Sequence, residues 1–150
     1  MSTPTPFFAP AFTAPTFANA CVLLYGAILT VGRRTVAAAL REAEEEIGLR
    51  PSDVEVIGIA DVYRTVTGFE VTPVVGIVPP GLVLTPHPGE VAAMFEAPLH
   101  YLLDPRHQHE RSAMWRGRER HYYEIDWEGR RIWGATAAMI VNLSRRLELA

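Results

Sequence analysis

The sequence contains no lysine, because all 14 of its basic residues are arginine. This absence excludes sites whose chemistry needs a lysine amine, such as a Walker-type phosphate loop, a Schiff base or a Ser-Lys dyad. Cys21 is the single cysteine, so neither an internal disulfide nor a cysteine-built zinc site can form. The sequence also lacks a Gly-x-Ser-x-Gly segment, which argues against a covalent serine hydrolase.

The chain is also poor in net positive charge and in long apolar runs. Its formal charge of -3 gives no sign of a nucleic-acid partner, and no apolar run approaches the roughly 18 residues of a membrane span. Residues 1–20 contain no arginine, and four prolines interrupt any apolar helix there. We therefore expect a cytoplasmic protein with a small-molecule partner, no nucleic acid and no membrane contact. The oligomeric state stays open, a homodimer included.

At 150 residues the chain fits one domain. We predict a Pro/Thr-rich N-terminal arm over residues 1–19 and a domain over residues 20–150. The predicted strands are 20–24 and 27–31 around a Gly26 turn, 54–64, 69–78, 90–96, 122–127 and 131–133; helices are expected at 98–103 and from about Thr136. Interleaved strands and helices predict an α/β (α+β) fold with a mixed β-sheet sandwiched between helices.

The most informative segment is the acidic stretch 41–49, Arg-Glu-Ala-Glu-Glu-Glu-Ile-Gly-Leu. At about 100° per residue of an α-helix, Glu42, Glu45 and Glu46 share one face. The opposite face is apolar and holds Val36, Leu40, Ala43 and Ile47. Thr35 is the predicted N-cap of this helix, and Gly48 its C-terminal stop.

Without a bound ligand, an acidic face of this kind destabilises the helix. Like charges at these spacings cost roughly 0.2–0.5 kcal/mol per pair, and acids in the last turns oppose the helix dipole. A bound Mg²⁺ or Mn²⁺ would reverse both penalties, because hard cations take carboxylate oxygens and often bridge to substrate phosphates. A solvated helix with Arg41 paired to Glu44 or Glu45 explains the same spacing, so spacing alone leaves both interpretations open.

The acidic stretch resembles the second half of the Nudix box. The resemblance implies that Glu45 and Glu46 bind the metal, Mg²⁺ or Mn²⁺. It implies that Glu42 is a further metal ligand or orients the attacking water. It also implies that Arg41 holds the acidic side chains in position. Segments 68–76 and 132–137 are similar to parts of the Nudix hydrolases that cleave coenzyme A. The fold implied is again a mixed sheet between helices.

The first half of the box is absent from this sequence. Counting back from Arg41, the box has Glu at position 33 and Gly at position 27, where the chain has Arg33 and Ala27. The coenzyme A group also carries a Phe-Pro-Gly-Gly loop between the strand and the helix, and here the strand runs almost directly into the helix. Gly32, Arg33 and Arg34 occupy that place and are the predicted substrate-binding residues.

Other candidates lie further along the chain. Glu90 follows a Pro-rich loop, where an acid in many Nudix proteins completes the metal site or acts as base. The segment 106–121 is rich in Arg and His, and is either a phosphate-binding loop or, as we favour, a solvated irregular loop. Phe69 and Trp133 are expected to be packing residues, because each lies in a β-rich run.

The resemblance implies a metal-dependent hydrolase of a pyrophosphate bond in a nucleoside diphosphate derivative. Coenzyme A would give adenosine 3',5'-bisphosphate and 4'-phosphopantetheine, with activity impaired by the missing glycine loop. The alternative is a catalytically inactive Nudix-fold module that binds nucleotides or another partner. A third is a deletion variant whose folding is itself compromised.

Overall fold

The computed structural model describes residues 12–17, 20–28, 33–65, 68–91 and 94–147. The strands in these ranges are β1 (Phe12–Phe17), β2 (Ala20–Ile28), β3 (Glu55–Ile59), β4 (Tyr63–Arg64), β5 (Glu70–Val78), β6 (Phe95–Glu96), β7 (His109–Trp115), β8 (Arg118–Trp127) and β9 (Arg130–Trp133). The α-helices are α1 (Arg33–Ile47), α2 (Leu99–Leu103) and α3 (Gly134–Arg146).

The larger, six-stranded sheet is built around β5. Its order is β3-β5-β2-β1-β6, and β4 pairs with β5 beyond the end of β3. β1 and β6 run parallel and the other pairs are antiparallel, so the sheet is mixed. Residues 71–74 are buried in succession. Because successive side chains of a strand point to opposite faces, both faces of β5 are covered here.

Several strands differ from the predicted ones. β2 is continuous, and Gly26 lies in regular register opposite Pro73, so the predicted turn at Gly26 is wrong. The predicted strand 54–64 is interrupted, since β3 ends at Ile59 and β4 starts at Tyr63. Among the described residues of the strand expected over 90–96, only those of β6 are in a strand, and residues 88–90 form a turn.

β1 lies within the segment predicted to be a Pro/Thr-rich arm. It pairs antiparallel with β2, from Phe12 opposite Leu24 to Phe17 opposite Ala20. The part of this arm that the structure describes is therefore a strand of the larger sheet rather than irregular chain. Phe and Thr residues favour such extended backbone. The domain boundary at residue 20 stays a prediction.

α1 packs its apolar face on the larger sheet. Ala39, Ala43 and Ile47 are at most 1% exposed and share a core with residues of β5. The helix begins at Arg33, so the prediction of Thr35 as N-cap is wrong. Thr35 is fully buried, because it continues the buried i, i+4 series that runs through Ala39 and Ala43. Gly48 ends the helix as predicted, with a φ of 70° that favours glycine.

The strands β7, β8 and β9 form a second, antiparallel sheet. Two-residue turns at Arg116–Gly117 and Glu128–Gly129 join them, and φ is positive at all four residues, as in type I′ hairpins. The turn at residues 128–129 confirms the predicted hairpin. The irregular loop expected over 106–121 is wrong, since most of it is β7 and the start of β8. Every residue of β7 is exposed, so the segment has no apolar alternation to reveal a strand.

A second core lies between the smaller sheet, α2 and α3. It contains Leu102, Ile125, Ile132, Ala137 and Ile140. α2 and α3 also contact β1 and β4 of the larger sheet, while α1 packs on β2 and β5. The predicted α/β (α+β) fold, a mixed sheet between helices, is confirmed, with the smaller sheet as an addition. Within the described ranges, no helix is long and apolar enough to cross a membrane.

Candidate active site

The acidic face of α1 is the first component of the candidate site. Glu45 is exposed, whereas Glu42 and Glu46 are half-buried. Burial raises the pKa of the Glu42 carboxyl above its ordinary value, and the nearby charge of Glu46 raises it further; Glu45 adds to this, while Arg41 opposes it. The three carboxylates therefore share one face, as the sequence predicts, and are close enough to repel each other.

Arg41 lies beside these acids and pairs with one of them. Its Nε is 3.7 Å from Oε1 of Glu45, and both side chains are 63% exposed. Of the two partners considered for Arg41, Glu44 and Glu45, the structure selects Glu45. An exposed pair of this kind contributes little to stability, about 0.3–0.5 kcal/mol at i, i+4 spacing. Arg41 can therefore release Glu45 to another cation at small cost.

The C-terminal end of α1 is held by a loop that sequence reasoning did not connect to it. The backbone N–H of His87 donates to the carbonyl of Glu46 at 2.7 Å, and that of Thr85 donates to the carbonyl of Ile47 at 2.9 Å. These bonds satisfy carbonyls that a helix end leaves without intrahelical partners. The backbone of the acidic turn is fixed as a result.

The same loop brings Glu90 to this end of the helix. The N–H groups of Glu90 and Val91 both donate to the carbonyl of His87, at 3.0 and 2.9 Å. Val91 is 5% exposed and belongs to the core beneath α1, so the turn is anchored from below. Glu90 itself is exposed, in a turn rather than at the start of a strand. Its suggested role as ligand or base stays a prediction.

The acids do not form a closed coordination shell. In the part of the chain that the structure describes, no group of three or more His, Cys, Asp or Glu side chains is placed to hold a metal ion. Mg²⁺ needs no such group, because it is usually bound by one or two carboxylates together with water and substrate phosphates. The oxygen donors and their mutual repulsion therefore fit Mg²⁺ or Mn²⁺, with Glu42, Glu45 and Glu46 as the candidate ligands.

The predicted substrate-binding residues are only partly described. Gly32 lies outside the described residues. Arg33 and Arg34 form the first turn of α1, so their backbone is helical instead of looped. Whether either guanidinium binds substrate stays a prediction.

The two residues expected to pack in the family-like segments are only partly covered. Phe69 is 52% exposed and Trp133 40% exposed, so neither is a fully buried packing residue. Phe69 precedes β5 and lies outside the two-sided burial at residues 71–74. Trp133 ends β9 opposite Glu124, on the side away from Ile125 and Ile132.

Comparison with known proteins places these features in a family. The model of the NUDIX domain matches residues 28–128, which include the acidic helix, the loop that holds its end and the turn with Glu90. The chain belongs to the Nudix family. This membership confirms the family suggested by the residues of the half-box; neither the coenzyme A subgroup nor the loss of the first half of the box is settled by it.

Curated relatives match over most of the chain. Proteins described as "Uncharacterized Nudix hydrolase NudL" from Escherichia coli O7:K1, Escherichia fergusonii and Shigella boydii serotype 18 are each 42% identical over 123 residues. The matched region is 81% of this chain and 64% of each relative. The chain therefore spans somewhat less than two thirds of the length of these relatives.

Proposed function

We propose that this Nudix protein hydrolyses the pyrophosphate bond of a nucleoside diphosphate derivative with the help of a divalent cation. The observation that carries the proposal is the acidic face of α1. Burial, and then the nearby charges of Glu46 and Glu45, raise the pKa of Glu42, so the carboxylates repel each other. The end of their helix is fixed by two backbone hydrogen bonds. A divalent cation, bridging to substrate phosphates, is the ligand that reverses this repulsion.

The roles of the residues follow from their places on α1. Glu45 and Glu46 would hold Mg²⁺ or Mn²⁺, which when bound neutralises phosphoryl charge and acidifies the attacking water. Glu42, half-buried and with a raised pKa, would orient that water and accept its proton. Arg41 would hold Glu45 when no cation is bound. Glu90, on the turn tied to the helix end, is a second candidate for the base.

Coenzyme A is the substrate we propose within this class, on the resemblance of segments 68–76 and 132–137. Its cleavage would give adenosine 3',5'-bisphosphate and 4'-phosphopantetheine. We expect the reaction to be slow, because phosphoryl transfer depends on preorganised groups around the phosphates. The Phe-Pro-Gly-Gly loop that would supply them is missing before α1, where only Gly32, Arg33 and Arg34 remain.

A second candidate function is a catalytically inactive module that binds nucleotides. One observation favours it, because Arg33 stands where the box has a glutamate. In such a protein the acids of α1 would persist as a solvated face, with Arg41 and Glu45 paired.

Product analysis separates the two candidates. The purified chain is incubated with coenzyme A, and with a panel of other nucleoside diphosphate derivatives, in Mg²⁺ or Mn²⁺ and in EDTA, and products are separated by chromatography. Slow cleavage that requires the cation and is lost in Glu45→Gln/Glu46→Gln supports the hydrolase. Glu44→Gln is the matched control, since Glu44 is exposed on the same helix but off the acidic face. Equal product in EDTA, or in the double variant, would reject the assignment.

A further inference from the structure

The smaller sheet has one side that the proposed hydrolytic site does not use. Directly opposed residues of antiparallel strands point to the same side of a sheet. Arg111 is opposite Tyr122, Trp115 is opposite Arg118, and Glu124 is opposite Trp133. We call this side the arginine face; it consists of the odd-numbered residues of β7 and β9 and the even-numbered residues of β8.

The arginine face is the outer side of the smaller sheet. The other side holds Ile125 and Ile132, which are buried against α3, and Tyr123, whose hydroxyl accepts a hydrogen bond from Arg145 of α3. On the arginine face only Tyr122 and Glu124 are half-buried, and every other residue is exposed. The face is therefore accessible over its whole length within the described chain.

Positive charge is concentrated on this face, although the chain as a whole carries a charge of -3. The arginine face carries four arginines, 111, 118, 120 and 131, and only two acids, Glu124 and Asp126. Glu124 pairs with both Arg111 and Arg131. Arg118 and Arg120 have no acidic partner among the described residues. Elsewhere, the arginines at 50, 64, 106 and 146 each pair with an acid, and those at 130 and 145 lie over the rings of Phe95 and Tyr123.

Aromatic rings lie among these arginines. The guanidinium of Arg131 lies 4.6 Å from the ring centroid of Trp133 and 5.8 Å from that of Tyr122. At the far end, the guanidinium of Arg116 lies 5.7 Å from the ring of Trp115, which is 51% exposed. Exposed rings stack on nucleobases, and guanidinium groups bind phosphates.

We propose that the arginine face binds single-stranded nucleic acid. From Arg118 to Asp126 it extends roughly 27 Å at about 3.4 Å per residue, which is room for several nucleotides. A mononucleotide would call for a concave pocket, whereas an open sheet with stacking rings suits an extended strand. The net charge of the chain does not reveal the positive charge of this face, because the net charge also counts acids that lie elsewhere on the protein.

The test measures fluorescence anisotropy of a labelled 12-nucleotide oligouridylate in EDTA, so that no cation bridges it to α1. We expect binding that weakens as salt rises. Arg118→Gln/Arg120→Gln should weaken it and lower the salt slope by about 1.4, because each phosphate contact on a single strand contributes about 0.7. Glu45→Gln/Glu46→Gln should bind as the wild type does, which separates this site from the hydrolytic one.

Two neighbouring residues give a matched pair of variants. Trp115→Ala should weaken binding about fivefold or more, and Trp115→Phe should retain most of the affinity, because the ring stacks on a base. Met114→Ala is the control: Met114 is 70% exposed at the same hairpin tip but points to the other side of the sheet. Both side chains are exposed, and equal thermal melting would confirm intact folding.

Other ligands define the outcomes that overturn the proposal. A duplex of the same length should bind more weakly than the strand, since its bases are not free to stack on the rings. Equal loss of affinity in Trp115→Ala and Met114→Ala would reject the arginine face as the site. Displacement of the strand by uridine monophosphate at equal nucleotide concentration would assign the face to a mononucleotide. Binding to phosphatidylserine-containing vesicles but not to the oligonucleotide would assign the hairpin to a membrane surface.

Discussion

Neutralising two acids of α1 should change stability in opposite directions with and without a divalent cation. Glu45→Gln/Glu46→Gln removes two like-charge pairs with Glu42, each worth about 0.2–0.5 kcal/mol. It also removes the exposed pair with Arg41, which contributes about 0.3–0.5 kcal/mol. In EDTA the free energy of unfolding of the double variant should therefore equal that of the wild type or exceed it by about 0.5 kcal/mol.

The cation reverses this order if it binds the acids. At a concentration one hundred times its dissociation constant, a ligand of the folded state stabilises it by about 2.7 kcal/mol. For a domain of this size that is a rise in Tm of roughly 5–10 °C. The wild type should show this rise in Mg²⁺ or Mn²⁺, whereas the double variant should melt at the same temperature with and without the cation.

Melting curves followed by circular dichroism, in EDTA and over a series of cation concentrations, measure both effects. Glu44→Gln should behave as the wild type in both conditions, since Glu44 lies off the acidic face. A double variant that keeps the full rise in Tm would refute the ligand assignment. A double variant that is more than about 1 kcal/mol less stable in EDTA would show that the acids serve the fold, which contradicts our account of their repulsion.

Three further predictions test the fold and the site. Gly76→Ala should destabilise the protein by about 1–3 kcal/mol in urea unfolding, because its Cβ would lie 2.6 Å from a valine side chain of the neighbouring segment; Gly58→Ala, with open space around it, should cost much less. Asp104→Asn should lower stability at neutral pH, because a neighbouring guanidinium holds the pKa of the Asp104 carboxyl far below its ordinary 3.8. A lowered folded pKa stabilises the protein fully above the unfolded pKa of 3.8, so the difference should shrink as pH falls below that value and vanish only near the much lower folded pKa. Inserting a Phe-Pro-Gly-Gly loop and its downstream acid between Val31 and Thr35 should raise coenzyme A hydrolysis about 100-fold, and strong cleavage by the unmodified chain would show that no loop is needed.

The sequence identified the acidic helix and its family because that information is local. The spacing of Glu42, Glu45 and Glu46 fixes their shared face at 3.6 residues per turn, whatever else the chain does. The glycine stop at Gly48 and the turn at Glu128–Gly129 were found for the same reason, since each depends on a few adjacent residues. The α/β fold followed from the alternation of strand and helix patterns.

Exposure could not be predicted in the same way. Phe69 and Trp133 lie in β-rich runs, yet burial depends on which elements cover a strand, and neither residue lies where both sides of its sheet are covered. For Thr35 the error was the opposite one, because a residue predicted to cap the helix is buried. Its hydroxyl suggested a helix N-cap, but its place in the i, i+4 series with Ala39 puts it in the core.

By itself, the sequence determined that one helix carries three acids on one face and a packing stripe on the other. Only the tertiary structure joined the turn of Glu90 to the end of that helix, through backbone hydrogen bonds between residues about 40 positions apart in the chain. Only the pairing and register of β7, β8 and β9 place their arginines and aromatic rings on the same side of a sheet. Helical periodicity is a property of neighbouring residues, whereas these contacts join distant segments whose register no local pattern encodes.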